Sequence, residues 1–155
     1  MAYDLTPLLE SGVIIPSFEA TSRKQAIHAL AEALAETTGV SARSIETAVM
    51  ERERLGSTGV GEGVAIPHAR LEGIEAPVGG FMRLVHGVDF EAIDDRPCDL
   101  IFMLLAPQSS GADHLRALAQ VSRVFRQSEL RDALRESRSL EDVTALLCRE
   151  AETSA

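Results

Sequence analysis

Leu100-Ile101-Phe102-Met103-Leu104-Leu105 is an unbroken apolar run, followed by Ala106 and stopped by Pro107. Six residues is strand length, and a strand apolar at every position has no side to offer to water. The run reads as a strand buried on both faces. Both faces must then be covered, and the sequence on either side supplies helices as the cover.

Upstream, Ser22-Arg23-Lys24-Gln25 has the form of a capping box. Ala26, Ile27, Leu30, Ala31 and Leu34 follow at helical spacing, and Gly39 suits the C-terminal cap. Ser41 caps a second helix whose apolar face carries Ile45, Ala48 and Val49, with Leu55 as a further candidate. Helices over about 23–37 and about 42–55 are predicted. Downstream, Leu115, Leu118, Ala119, Val121, Ser122 and Phe125 are read as one helical face. Ser128 starts a short helix through Leu130 and Leu134. Ser139 caps a last one, with Leu140, Val143, Leu146 and Leu147 inward.

Shorter pieces fill the rest. Thr6-Pro7-Leu8-Leu9 reads as a helical turn with Thr6 as its N-cap. Val13-Ile14-Ile15 reads as a strand stopped by Pro16, and Val64-Ala65-Ile66 as another. Val78 to Val85 is a third, broken by Gly79-Gly80, and Asp94-Asp95 marks a turn. The order is helices, strands, helices around a small mixed sheet. The expected fold is α/β, a three-layer α/β/α sandwich. One domain spans 1–155, with a core over about 5–148 and a frayed tail from Glu150 to Ala155.

Composition narrows the function. The net charge is −9 and Lys24 is the sole lysine. Non-specific phosphate-backbone binding needs clustered positive charge, so no nucleic-acid partner is expected. The arginines at 123, 126, 131, 135 and 138 read as a solvated helical face paired with nearby Glu and Asp. Cys98 and Cys148 are isolated and read as small buried hydrophobes in a reducing compartment. No apolar run approaches the ~18 residues of a membrane span, and no signal peptide is visible. The expectation is a cytoplasmic chain without membrane insertion, metal or cofactor.

The chemistry concentrates in Arg52-Glu53-Arg54-Leu55-Gly56-Ser57-Thr58-Gly59-Val60-Gly61-Glu62-Gly63-Val64-Ala65-Ile66-Pro67-His68. A helix ends, a glycine loop follows, and a short strand delivers a histidine after a proline. A Walker loop would need a lysine beside the glycines, and the sole lysine is elsewhere. A dinucleotide fingerprint needs strand, loop, helix, and here the order is reversed. Gly56, Gly59, Gly61 and Gly63 allow backbone N–H groups to turn inward as an anion nest. Ser57 and Thr58 add hydroxyls, and Arg52 a fixed positive charge. His68 has the imidazole needed to accept a phosphoryl group near neutral pH. A bland reading stands beside this one: a partly exposed histidine after an ordinary turn. His28 reads as a partly buried helix residue, His86 as a turn residue and Glu62 as a solvated one. His114, judged alone, is a helix-surface histidine.

The segment Gly56 to His68 resembles the phosphorylation signature of the fructose/mannitol-type enzyme IIA domains of the bacterial phosphotransferase system, and most of all their nitrogen-regulatory branch. Phe90 to Pro107 is similar to that family's turn and central strand, and Asp113-His114-Leu115 to the place of its second histidine. The resemblance covers about residues 5–148. It implies that His68 accepts a phosphoryl group from a histidine-containing phosphocarrier protein, on the tele ring nitrogen, a choice the residues alone leave open. It implies that His114 and Arg52 attend the phosphate, with Ser57 and Thr58 as loop hydroxyls. It implies regulatory output to targets such as sensor kinases, potassium transporters or alarmone enzymes. Ala69-Arg70 departs from the Gly-Lys common in relatives.

Two alternatives accompany this reading. One is a sugar-specific enzyme IIA that passes phosphate to a transporter enzyme IIB during uptake. The other is a metal-dependent hydrolase using His68, His114 and Asp113, for which no metal-ligand spacing is present.

Overall fold

A computed structural model describes residues 4–148. Among them six strands form one mixed sheet in the order β1-β5-β6-β3-β2, with β4 also paired to β6. The strands are β1 (Val13–Phe18), β2 (Gly59–Gly61), β3 (Val64–Ala65), β4 (His68–Leu71), β5 (Val78–Val88) and β6 (Cys98–Pro107). The helices are α1 (Thr6–Leu9), α2 (Arg23–Thr38), α3 (Ala42–Leu55), α4 (Ala112–Phe125), α5 (Ser128–Glu136) and α6 (Leu140–Leu147).

The apolar run Leu100 to Leu105 lies in β6, the inner strand on which the sheet is organised. Its residues alternate between two cores, as a pleated strand requires. Ile101, Met103 and Leu105 pack with α2 and α3 through Ile27, Leu30, Ile45 and Val49. Leu100, Phe102 and Leu104 pack with the other helices through Leu8, Val121, Phe125, Leu134 and Val143. The three-layer sandwich follows directly.

Several local expectations are corrected. β1 runs through Pro16 to Phe18. It is an outer strand, where a missing N–H is tolerated, and the Pro16 carbonyl accepts from Arg83 Nε at 3.0 Å. β5 is continuous through Gly79-Gly80 and carries the exposed His86, so neither the break nor the His86 turn is found. The glycines are there for space: a Cβ on Gly79 would overlap the Phe102 ring. The N-cap residue of α1 is Leu5, and Asp4 accepts from the Thr6 amide at 3.0 Å. The inward stripe of α4 is His114, Ala117, Val121, Val124 and Phe125, while Leu115 is 67% exposed. Leu55 and Leu140 face outward rather than inward. The expected frayed tail lies outside the described residues.

The arginine face carries the expected acidic pairing at Arg135 and Arg131. Arg135 makes a double contact to the Asp99 carboxylate, at 2.9 and 3.0 Å, and reaches the Glu62 carbonyl at 2.7 Å. Arg131 donates to the Phe125 carbonyl at 3.0 Å. Arg131 also lies 3.7 Å from the Glu62 carboxylate, so these two side chains tie α5 to the β2–β3 turn. Glu62, read as a solvated residue, pairs with Arg96 at 3.1 Å.

Candidate functional site

β3 and β4 lie along the same edge of β6, as two halves of one interrupted parallel strand. Val64 and Ala65 pair with Leu100 and Ile101, and His68 to Leu71 pair with Leu104 to Pro107. Ile66-Pro67 is the interruption, since Pro67 has no N–H to donate. Side-chain alternation then places Val64, Ile66, His68 and Arg70 on the α4 face and Ala65, Ala69 and Leu71 on the α3 face. His68 thus stands where an apolar stripe ends.

His114 stands at the matching end of another stripe. It precedes Ala117 and Val121 on the inward side of α4 and is 8% exposed. The surface placement that His114 suggests on its own is therefore overturned. The two rings meet with centroids 5.5 Å apart and planes tilted by 50°. They share an open cleft of 740 Å³ with Arg52, Leu55, Arg70 and Leu115.

His68 Nδ1 lies 2.8 Å from the Ile66 carbonyl oxygen. A carbonyl can only accept, so Nδ1 carries the proton and donates it. In the neutral ring the Nε2 lone pair is then free. Burial pushes the His68 pKa down; the Ile66 carbonyl opposes this and the Arg52 charge adds to it. His114 is lowered by burial, then by the His68 and Arg70 charges. Both rings are thereby kept neutral and basic at one nitrogen.

The sign of the pH dependence follows. A depressed folded pKa gives stability that is present above the unfolded value, near 6.5, and lost as pH falls through the folded value. NMR titration of the native protein should place the His68 midpoint below that of a model imidazole. Arg52→Gln should move it upward, because the nearby cation is removed. A His68 midpoint above the model value would contradict this electrostatic account.

The glycine segment divides into two parts. Gly56, Ser57 and Thr58 lie beside the histidine strand: the Thr58 carbonyl accepts from the Ile66 amide at 3.0 Å. Arg52 Nη1 donates to the Gly56 carbonyl at 3.0 Å. Gly61, Glu62 and Gly63 have φ of 99°, 58° and 81° and form the β2–β3 turn. Gly63 pairs near Asp99 and Leu100, while His68 pairs with Leu104. That separation along β6 is about 13 Å at strand rise, so the distal glycines serve the turn and not the cleft. Only the Gly56 end of the segment lies beside His68, and there the Gly56 amide donates to the Glu53 carbonyl at 3.2 Å and the Gly59 amide to Ser57 Oγ at 2.9 Å. The loop hydroxyls are also engaged: Ser57 donates to the Phe90 carbonyl and Thr58 to the Glu53 carboxylate.

Glu53 was not singled out from sequence. It continues the α3 stripe Ile45, Val49, Glu53 at four-residue steps and is 4% exposed. Its other oxygen accepts from Arg23 Nη1 at 3.3 Å. A carboxylate on an inward stripe was the signal available. Glu53→Ala leaves Thr58 and Arg23 without their partner. It should lower unfolding free energy by about 2 kcal/mol, read by urea denaturation. A loss within experimental error would show that Glu53 does not anchor the loop.

Among the described residues, no group of three or more His, Cys, Asp and Glu side chains is placed to hold a metal ion. No helix there is long and apolar enough to cross a membrane. Cys98 is buried, and burial pushes its thiol up to about 12, which suits an inert core residue. Cys148 is only half-buried, and its thiol too is pushed up by burial. His28 is half exposed between Glu46 and Glu32, and those carboxylates raise its pKa, Glu46 foremost.

Residues 7–149 match the family described as phosphoenolpyruvate-dependent sugar phosphotransferase system, EIIA 2. The chain belongs to this type-2 enzyme IIA family. Within it, the chain resembles the nitrogen-regulatory branch. It is 42% identical over 151 residues to a nitrogen regulatory protein of Bradyrhizobium diazoefficiens, covering 97% of this chain and 99% of that one. A fructose-specific EIIA component of Haloferax volcanii is 41% identical over 100 residues, 64% of this chain and 65% of that one. The crystal structure of nitrogen regulatory protein IIA-Ntr from Neisseria meningitidis superposes with a TM-score of 0.84 at 34% identity, covering 92% of this chain and 98% of that one. Mannitol enzyme IIA of Escherichia coli, at 22% identity and a TM-score of 0.72, shares the fold.

Proposed function

We propose that His68 accepts a phosphoryl group on Nε2 from a histidine-containing phosphocarrier protein, and that the charge this places on the cleft regulates partner proteins. The observation that carries the reading is the Nδ1–H to Ile66 carbonyl bond, which leaves Nε2 as the nucleophile. The Nε2 lone pair forms the new P–N bond as the donor's P–N bond breaks. The released electron pair returns to the donor imidazole. The transition state is loose and the work is positioning and charge stabilisation. Arg52 and His114, beside His68 in the cleft, supply the positive charge and a hydrogen-bond donor. Leu55 and Leu115 are exposed at the cleft, 84% and 67%, and give a carrier protein an apolar rim to dock on.

The regulatory output rests on similarity to nitrogen regulatory proteins over nearly the whole chain. The fructose-specific relative supports a second reading, in which phosphate passes on to a transporter enzyme IIB. One experiment separates them. The protein is incubated with a phosphorylated histidine phosphocarrier and then offered a mannitol- or fructose-type enzyme IIB. The regulatory reading expects a gain of one phosphoryl group by intact mass and no rapid discharge to IIB. Rapid discharge favours the uptake reading, and no phosphoryl gain overturns both.

A further inference from the structure

Among the described residues, two buried side-chain polar atoms have no hydrogen-bond partner: Ser110 Oγ and His114 Nδ1. Buried polar atoms are nearly always satisfied, so such a pair asks for a reason. Both belong to the same turn, four residues apart, where the β6–α4 connection opens α4. One is a hydroxyl that donates and accepts, the other a ring nitrogen that does either according to its proton.

The backbone of Ser110 is fixed from two sides. Its amide donates to the Pro107 carbonyl at 3.0 Å, and its carbonyl accepts from Arg70 Nη1 at 3.0 Å. Arg70 in turn shares the face of β4 that carries His68. The backbone of Ser110, one residue before the Gly111 N-cap of α4, is therefore tied to the strand that presents the nucleophile. The N-cap residue of α4 is Gly111, which has no side chain, and the Ser110 hydroxyl has no partner among the described residues.

We propose that Ser110 is a positioning residue for His114: its hydroxyl donates through one bridging water to His114 Nδ1 and so keeps the proton on Nε2. A neutral His114 must place its single ring proton on one nitrogen. With Nδ1 engaged as an acceptor, Nε2–H is the donor available to a phosphoryl oxygen on His68. Without Ser110 both tautomers are populated and that donor is present only part of the time. A bridging water suits this place, since buried waters collect at otherwise unpaired polar atoms.

The role in transfer rests on the phosphoryl-acceptor reading of His68, but the tautomer does not. Long-range proton–nitrogen NMR of the histidine-labelled, unphosphorylated protein reads it directly. The wild type should show His114 protonated on Nε2. Ser110→Ala should shift His114 toward mixed tautomers and slow phosphoryl gain by roughly three- to tenfold, the worth of one hydrogen bond. Ser110→Thr keeps a hydroxyl and should restore both. A wild-type His114 protonated on Nδ1, or an unchanged tautomer in folded Ser110→Ala, overturns the proposal. The expected tautomers with no phosphoryl gain in any variant would instead refute the acceptor reading and leave Ser110's effect on the ring standing.

Discussion

His68→Asn is expected to lower phosphoryl acceptance by about a thousandfold or to below detection, because the nucleophile is gone. Asparagine is the informative replacement. Its amide nitrogen can take the place of Nδ1–H and keep the bond to the Ile66 carbonyl, so the strand end stays satisfied. Stability should change by no more than about 1 kcal/mol, since the ring is only half-buried. The loss would then belong to Nε2 and not to unfolding. Intact mass after incubation with the phosphorylated carrier, alongside a thermal melt, checks both halves. Normal phosphorylation of His68→Asn would remove the histidine from the account.

Phe102→Ala is expected to reduce unfolding free energy by about 3–5 kcal/mol, the range for a fully buried aromatic truncated in a core. Phe102 is completely buried on the α4 face of β6, its ring 6.0 Å from that of Phe125 and tilted by 57°. It also fills the space that Gly79 leaves by having no side chain. A second variant sharpens the test. Gly79→Ala should destabilise the native sequence, because its Cβ would overlap the Phe102 ring. It should do so much less when Phe102 is already alanine, and the difference measures the contact. Urea midpoints give the four stabilities. Additive effects would mean that the glycine is not there for the ring.

The same strand shows why some of the fold was legible and some was not. β6 was readable because an apolar run of strand length admits few other readings, and its double burial required helices on both faces. α2 and α3 were readable from caps and periodicity together, and α2 extends only one residue past the expected range. Gly79-Gly80 misled because glycine marks close packing as well as breaks, and only the facing Phe102 tells which. Pro16 misled because its cost depends on whether the strand is outermost. β4 was hidden because Pro67 interrupts pairing that resumes at His68 on the same neighbour.

The site was legible in its chemistry but not in its geometry. His68, Arg52 and the near end of the glycine segment do lie together. Gly61 and Gly63 do not, because a hairpin carries them away along β6. His114 looked like a surface residue since its spacing to Ala117 and Val121 is diluted by small side chains, whereas Leu115 drew attention and points outward. Glu53 was overlooked because a carboxylate on an inward stripe reads as a flaw until its partners, Thr58 and Arg23, are in view.

In the proposed function, His68 reacts at Nε2 because the Ile66 carbonyl holds the proton on Nδ1. Phosphorus and nitrogen NMR of the phosphorylated, histidine-labelled protein tests it most directly. The phosphoryl group is expected on Nε2 of His68, with Nδ1 still protonated and hydrogen-bonded to the Ile66 carbonyl. A phosphoryl group on Nδ1, or on any residue other than His68, would contradict it.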